Sequence, residues 1–147
     1  MRKIMLMSMI IFVVIATGCS GVFKDKGSVK FIDNGDGTVT DTVTGLIWQQ
    51  AHTKRGWKAA NTYCEDLDYA NHHGWRLPNL QELRTIVDTT NSDLTIDSVA
   101  FPETKPMPYW STTIFESNPR NAIIVDFSNG NHYSDEMAFM NYVRCVR

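Results

Sequence analysis

Residues 74–83, with the sequence GWRLPNLQEL, constrain the fold of this chain more than any other stretch, because they combine a helix-ending with a helix-starting signal. Gly74 can adopt the left-handed conformation that closes a helix without a steric penalty, so it predicts the end of a preceding helix. Asn79 and Glu82 have the spacing of a capping box, which predicts that a second helix begins near Asn79. The stretch therefore predicts two helices with a short connection.

Apolar spacing on both sides of this connection supports the two helices. Upstream, apolar residues at helical intervals predict a helix from about Lys54 to Asn71 that buries one side. These residues are Trp57, Ala60, Cys64 and Leu67. Downstream, a second helical stripe consists of Leu80, Leu83, Ile86 and Val87. Between them, Trp75 and Leu77 alternate around a polar residue and are expected to pack beneath both helices.

Strand signals flank the helices. Asn-Gly and Asp-Gly turns within residues 31–48 predict a small β-meander at the start of the domain. Residues 109–114 are aromatic or β-branched, apart from one serine, and predict a further strand. Between the second helix and this strand, residues 88–107 are rich in Thr, Asn, Asp and Pro and predict a long loop region.

The C-terminal third predicts a hairpin and a final strand. Residues 122–127 and 131–133 form the two arms, and Asn129 with Gly130 suits a type I′ turn between them. Residues 141–147 alternate and predict a last strand. Apolar residues in it cannot all share one face, so irregular geometry or burial on two sides is needed there. They are Val143, Cys145 and Val146.

Length and charge limit the function classes. At 147 residues the chain suits one domain, and a hydrophobic content of 43% is sufficient for a packed core. Without Arg2 and Lys3 of the leader described below, 12 basic and 16 acidic residues remain, a formal charge of −4 with neutral histidines. A general nucleic-acid binder needs a basic field, so nucleic acid is not an expected partner.

The N-terminus has the features of an export signal. Arg2 and Lys3 precede an apolar run from Ile4 to Ile15, which is short for a membrane span. The run ends in Ala-Thr-Gly before Cys19, a pattern that resembles a bacterial lipobox, in which the cysteine is acylated with chains such as palmitate. We therefore expect a lipoprotein signal peptide over residues 1–18, and a lipidated N-terminus and tether over residues 19–30; the alternatives are an ordinary cleaved signal and an uncleaved anchor. Ser20 follows the cysteine directly and resembles the sorting signal of outer-membrane lipoproteins. We therefore expect an envelope lipoprotein that faces the periplasm or the cell surface.

Two motifs carry a family resemblance. Trp-Arg-Leu-Pro-Asn-x-x-Glu-Leu from Trp75 to Leu83 follows a cysteine-bearing helix, and Val-Arg-Cys-Val-Arg ends the chain. Together they resemble the bacterial domain family typified by the C-terminal domain of the Legionella collagen-like adhesin. The resemblance covers residues 31–147. It implies an α+β fold of the C-type-lectin and formylglycine-generating-enzyme type, with two helices packed on small antiparallel sheets.

Two cysteines remain for the domain if Cys19 is lipidated. Cys64 and Cys145 are an even pair in an oxidising setting. The alternative interpretations are a disulfide, two buried thiols and a redox pair. The resemblance implies the disulfide, since lectin-like folds often link their first long helix to their last strand. Such a bridge closes a loop of about 80 residues and contributes on the order of 4 kcal/mol.

The resemblance implies a non-enzymatic binding domain, because the adhesin domain that typifies the family binds sulfated polysaccharides of host surfaces. A glycan site is expected to use the stacking faces and amide donors of Trp110, Asn129, Asn131 and Tyr133. The alternative places Trp110 in the core and Asn129 in a turn. The expected partners are the membrane, through the lipid anchor, and a glycan or an envelope protein; the family also implies a trimer.

Two other functions stay open. One is a structural or accessory partner in an envelope protein complex. The other is an oxidase like the formylglycine generators, whose copper site needs two free thiolates, whereas only Cys145 lies in the C-terminal region.

No catalytic residue, metal ligand or cofactor is predicted. The Asp- and Asn-rich turn at residues 33–37 fits no register of the calcium-loop pattern. His72 and His73 are adjacent and match no zinc spacing, and Ser111 lacks the glycines of a nucleophile elbow.

Overall fold

The computed structural model describes residues 29–147, and Cys19 with the predicted signal peptide lies outside this range. Eight strands and two helices form in this part of the chain, so the predicted α+β class is confirmed. In chain order they are β1 (Phe31–Asp33), β2 (Thr38–Asp41), β3 (Ile47–Gln49), β4 (Thr53–Gly56), α1 (Trp57–Glu65), α2 (Leu80–Thr85), β5 (Pro108–Ile114), β6 (Asn121–Asp126), β7 (Asn131–Glu136) and β8 (Met140–Val143). The likeness to C-type lectins stays a prediction.

The strands form two sheets. β1, β2 and β3 make the predicted meander as an antiparallel sheet, in which Val39 faces Trp48. The other five strands are ordered β4-β8-β5-β6-β7. Their neighbours are antiparallel except for β5 and β8, which pair in parallel at Tyr109 and Tyr142. This parallel contact departs from the expected antiparallel sheets, because the last strand is inserted between β4 and β5.

The first helix is shorter than predicted. Residues 53–56 form β4 and pair with β8, so the helix begins at Trp57 and not near Lys54. It ends at Glu65, with Asp66 as its C-cap, and the chain then forms a turn closed by pairing of Tyr69 with His72. Gly74 does have a φ of +75°, but it lies nine residues beyond the helix, so the prediction that it closes this helix is wrong.

The second helix begins where the sequence predicts. Asn79 accepts a hydrogen bond from the Glu82 amide at 2.9 Å, and the Glu82 carboxylate accepts one from the Asn79 amide at 2.9 Å. The capping box is therefore confirmed. Arg76 also binds the Glu82 carboxylate through two hydrogen bonds of 2.6 and 2.7 Å, which fixes the capping side chain.

The core consists of two clusters of buried side chains. One lies beneath α1 and contains Cys64, Trp75 and Leu77 together with Trp110. The other contains Leu83 of α2, so Trp75 and Leu77 belong to the cluster of the first helix. Cys64 and Cys145 form the predicted disulfide, which joins α1 to the chain just after β8 and closes a separation of 81 residues.

The C-terminal strands differ from the prediction in one turn. β6 and β7 form the expected hairpin, but four residues, 127–130, connect them, and Gly130 alone has a positive φ, at +73°. A type I′ turn needs two such residues, so that prediction is wrong. After β8, residues 144–146 are all buried, and Val146 pairs separately with Trp48 and Arg76. The predicted irregularity at the C-terminus is therefore confirmed.

Candidate functional site

A broad, open concave surface lies along α1. It has a volume of about 940 Å³, and we call it the α1 groove. The charged side chains that line it are Arg55, Lys58, Asp66 and Asp68, and its two larger apolar side chains are Tyr63 and Leu67. This is a mixture of cations, carboxylates and apolar surface on one open face.

Local sequence explains why this face is polar. Successive helical residues are 100° apart, so Lys58 and Thr62 project from the side of α1 opposite Ala60 and Cys64, which are buried. The helix is held at both ends, since the Trp57 indole donates to the Ser111 carbonyl at 2.8 Å and Cys64 is bonded covalently. The groove therefore lies on a fixed element.

A stacked cation forms one wall of the groove. The Arg55 guanidinium lies over the Tyr63 ring, 4.7 Å from its centroid. The Tyr63 hydroxyl accepts a hydrogen bond from Gln49 at 3.3 Å, and the Arg55 carbonyl accepts one from the Trp110 indole at 2.9 Å. Because ring and backbone are both held, the guanidinium is oriented before any ligand arrives.

Positively and negatively charged side chains lie at opposite ends of the groove. Arg55 and Lys58 lie at its beginning, where α1 starts, and Asp66 and Asp68 follow the end of the helix. An anionic group binds best at the first end, through charge-assisted hydrogen bonds. Carboxylates at the second end can accept hydrogen bonds from hydroxyl groups. The arrangement suits a ligand that carries both kinds of group.

A second, smaller cavity adjoins the loop after α1. It has a volume of about 380 Å³. The residues that line it are Gly37, Gln50, Ala51, His52, Tyr69, Pro102 and Glu103. We call it the His52 cavity. Burial lowers the pKa of His52 below its ordinary value, and the positive charge of Arg144 lowers it further. The imidazole is therefore mostly neutral at pH 7.

A buried arginine connects the walls of the His52 cavity. Arg144 is 1% exposed, and burial lowers its pKa to about 10, so it stays charged at neutral pH. Its Nη2 donates to the Gln50 carbonyl at 3.1 Å and to the Thr104 hydroxyl at 2.9 Å. The guanidinium also lies 4.8 Å from the Phe101 ring centroid, where a cation–π contact partly offsets its desolvation.

A family model described as the Lcl C-terminal domain matches residues 37–147, most of the chain. The chain belongs to the Lcl C-terminal domain family. No curated protein matches the chain. The family is adhesin-associated and non-enzymatic.

The predicted ligand residues of this Lcl C-terminal domain lie in two different environments. Trp110 is 0% exposed within the core, and its indole donates to a backbone carbonyl, so the prediction that it offers a stacking face is wrong. Asn129, Asn131 and Tyr133 are exposed and close together on the β6–β7 hairpin, and we call them the hairpin patch. The Asn129 amide donates to the Tyr133 hydroxyl at 3.4 Å. The role of this patch stays a prediction.

Sequence reasoning missed both concave surfaces. Helical periodicity marks Lys58 and Thr62 as a polar face, which was available from the sequence but is also typical of any solvated helix. Glu103 has a left-handed φ of +62°, which no local signal indicates. The approach of Tyr69 to Gly37 is also a tertiary feature, since a Cβ at Gly37 would clash with the Tyr69 hydroxyl.

Groups that could support metal or nucleophilic chemistry have other roles here. Residues 29–147 contain no cluster of three or more potential metal-binding His, Cys, Asp or Glu side chains. Cys64 and Cys145 are bonded to each other and cannot act as two thiolates for copper. Ser111 is buried and donates to the Ile123 carbonyl at 2.7 Å.

Within the same described residues, no helix is both long and apolar enough to cross a membrane.

Proposed function

We propose that this protein is a lipid-anchored envelope lipoprotein whose Lcl C-terminal domain binds an acidic surface polysaccharide, without catalysis, in the manner of an adhesin. The observation that carries the proposal is the α1 groove, in which an oriented arginine, a lysine and an aromatic ring share one open face. Family membership supports the same class of function.

The groove offers each of the contacts that an acidic sugar chain needs. Arg55 and Lys58 would bind a carboxylate or sulfate group. Leu67, which is half-buried, would pack against the apolar face of a sugar ring, beside the Tyr63 ring that lies beneath the Arg55 guanidinium. Asp66 would accept hydrogen bonds from ring hydroxyls, because an ionised carboxylate is an acceptor only.

The net negative charge of the protein confines the attraction for an acidic glycan to the groove itself. The predicted mature chain has a formal charge of −4, so a polyanion is not attracted from a distance. Contact with Arg55 and Lys58 must supply the attraction, and exposed ion pairs are screened by salt. Binding should therefore weaken as ionic strength rises.

The hairpin patch is the other place where a glycan could bind. Tyr133 is 49% exposed and has amide side chains beside it, which are common in sugar sites. This surface is part of a hairpin, and neither the α1 groove nor the His52 cavity includes it. We therefore assign the principal site to the groove and treat the patch as the rival location.

Anchoring is proposed from the sequence alone. Cys19 would carry the acyl chains, and the multiply acylated cysteine of such lipoproteins would hold the protein stably on the outer membrane. Substitution Cys19→Ser should release the protein from the membrane fraction. Protein that remains in that fraction after its leader is removed would contradict the anchor.

Binding is tested with a glycan array and with heparin, on residues 20–147, at two salt concentrations and with and without calcium. The proposal predicts saturable binding to acidic glycans that weakens at high salt and does not need calcium. Calcium-dependent binding would indicate a metal site, and no binding in any condition would favour a structural partner in an envelope protein complex.

A further inference from the structure

The side of α1 that lines the α1 groove is exposed from one end of the helix to the other. Lys58, Thr62 and Asp66 lie four residues apart, so they follow one another along this side. All three residues are exposed, and so are their neighbours Ala59 and Glu65. Within residues 29–147, this side of α1 is therefore open to a partner.

The charged groups on this side are separated by sign. Lys58 lies in the first turn of α1, which contains no acidic residue. Glu65 is the last residue of the helix, Asp66 is its C-cap, and the last turn contains no basic residue. Lys58 and Asp66 are eight residues apart, about 12 Å along the helix axis. The two ends of this side therefore carry opposite charges at neutral pH.

The order of these charges does not stabilise the helix itself. The first turn of a helix favours acidic groups and the last turn favours basic groups, because the N-terminus of the helix dipole is positive and the C-terminus is negative. In α1 the side chains have the reverse order. Each end therefore combines a side-chain charge with a helix-dipole charge of the same sign. A partner with negative charge opposite Lys58 and positive charge opposite Asp66 would relieve both repulsions.

A second copy of α1 in antiparallel orientation meets this requirement. Lys58 and Asp66 lie equally far from Thr62 in the chain, so a two-fold axis beside Thr62 places Lys58 opposite the partner's Asp66, and the reverse. The positive end of each helix dipole then faces the negative end of the other. At the centre, the short side chains of Ala59 and Thr62 allow the two helices to approach closely.

We infer that this side of α1 is a self-association surface, through which two copies of the chain form a two-fold dimer with their first helices antiparallel. The inference goes beyond the proposed function and does not depend on it. Because α1 has only 9 residues, the interface is small and the pairing is weak in dilute solution. A high local concentration, such as the proposed lipid anchor would supply on a membrane, favours it.

The same surface would serve two partners. Lys58 and Asp66 line the α1 groove, so a copy that is paired in this way cannot hold a glycan there. Self-association and glycan binding would therefore compete.

Exchange of the charges tests the pairing, with the full chain in detergent and sedimentation equilibrium over a range of protein concentrations. Wild-type protein should show a monomer–dimer equilibrium. Lys58→Glu and Asp66→Lys each place like charges at both contacts and should each weaken association about tenfold. An equal mixture of these two variants should regain the wild-type affinity, because opposite charges then meet at both contacts. Arg84→Glu, which reverses an exposed charge on α2, should associate as wild-type protein does.

The two variants also control for folding. Each moves α1 toward the charge order that its dipole favours, so neither should lower the thermal midpoint, which circular dichroism measures. Weaker association in these variants therefore cannot be caused by unfolding.

Three results would overturn the inference: wild-type protein that stays monomeric at the highest concentration, a trimer, or a mixture of variants that does not regain association. Heparin should shift the wild-type equilibrium toward monomer, and a dimer that binds heparin as tightly as the monomer does would contradict the antiparallel pairing. Dimers without any heparin binding would support the inference while the proposed function fails. Heparin binding by a protein that never dimerises would overturn this inference alone.

Discussion

The α1 groove and the hairpin patch are both exposed and each contains a tyrosine, but they differ in shape and in support. Tyr63 of the groove lies beneath the Arg55 guanidinium and beside a helix that a disulfide fixes. Tyr133 of the patch lies on β7, an edge strand of the five-stranded sheet. Side chains on a helix that is held at both ends are better oriented for a ligand than side chains on an edge strand.

The largest expected effect concerns the covalent support of the groove. Replacement of both bridging cysteines, Cys64→Ser with Cys145→Ser, should lower the free energy of unfolding by about 4 kcal/mol, because the bridge closes an 81-residue separation. Urea unfolding measures this change, and an unchanged midpoint would contradict it. Amide exchange in α1 should also accelerate more than in the β6–β7 hairpin, and equal acceleration would remove the distinction between the two regions.

A smaller effect is expected at α2, where a substitution should lower stability and leave binding unchanged. Asn79→Ala removes the cap of this helix and should lower the free energy of unfolding by about 1 kcal/mol. Heparin affinity should not change, because α2 does not line the groove. Lost affinity in a folded Asn79→Ala protein would mean that the groove depends on α2.

The hairpin patch should tolerate substitution. Tyr133→Ala removes an exposed ring and one hydrogen bond of 3.4 Å, so the free energy of unfolding should change by less than about 0.5 kcal/mol. Binding to acidic glycans should be the same as in wild-type protein. A large loss of binding here, with little loss in Lys58→Gln, would move the site to the hairpin.

The smallest effect is a dependence of stability on pH at the His52 cavity. The folded pKa of His52 lies below its ordinary value of 6.5, so the unfolded chain binds the proton first as pH falls. The contribution of His52 is therefore fully present above pH 6.5 and is lost as pH falls through 6.5 toward the folded pKa. Denaturation curves between pH 7.5 and 5.5 should show this slope, and His52→Gln should reduce it; an identical slope in the variant would contradict the assignment.

Structural features that depend on residues close together in the sequence could be predicted, and features that depend on contacts between distant residues could not. The capping box of Asn79 and Glu82 depends on residues three apart, and the structure confirms it. The start of α1 depends on β4 pairing with β8, in which Arg55 faces Asn141, and periodicity alone does not contain that contact. The disulfide was implied only by family resemblance.

The site was harder to predict than the fold, for the same reason. An aromatic residue in a strand is compatible with either a ligand face or the core, and Trp110 lies in the core. Concavity arises from segments that are distant in the chain, as where Tyr69 meets Gly37. Turn signals identify exposed loops such as the hairpin, but they do not indicate which exposed surface is concave.

The most direct test of the groove compares two substitutions that each remove one exposed positive charge. Lys58→Gln lies in the groove, and Arg84→Gln lies on α2 outside it. Titration with a heparin oligosaccharide at low salt should show an affinity about tenfold weaker for Lys58→Gln, near 1.4 kcal/mol, and little change for Arg84→Gln. Equal losses would mean that only net charge attracts the glycan, and no loss in Lys58→Gln would contradict the assignment of the site to the α1 groove.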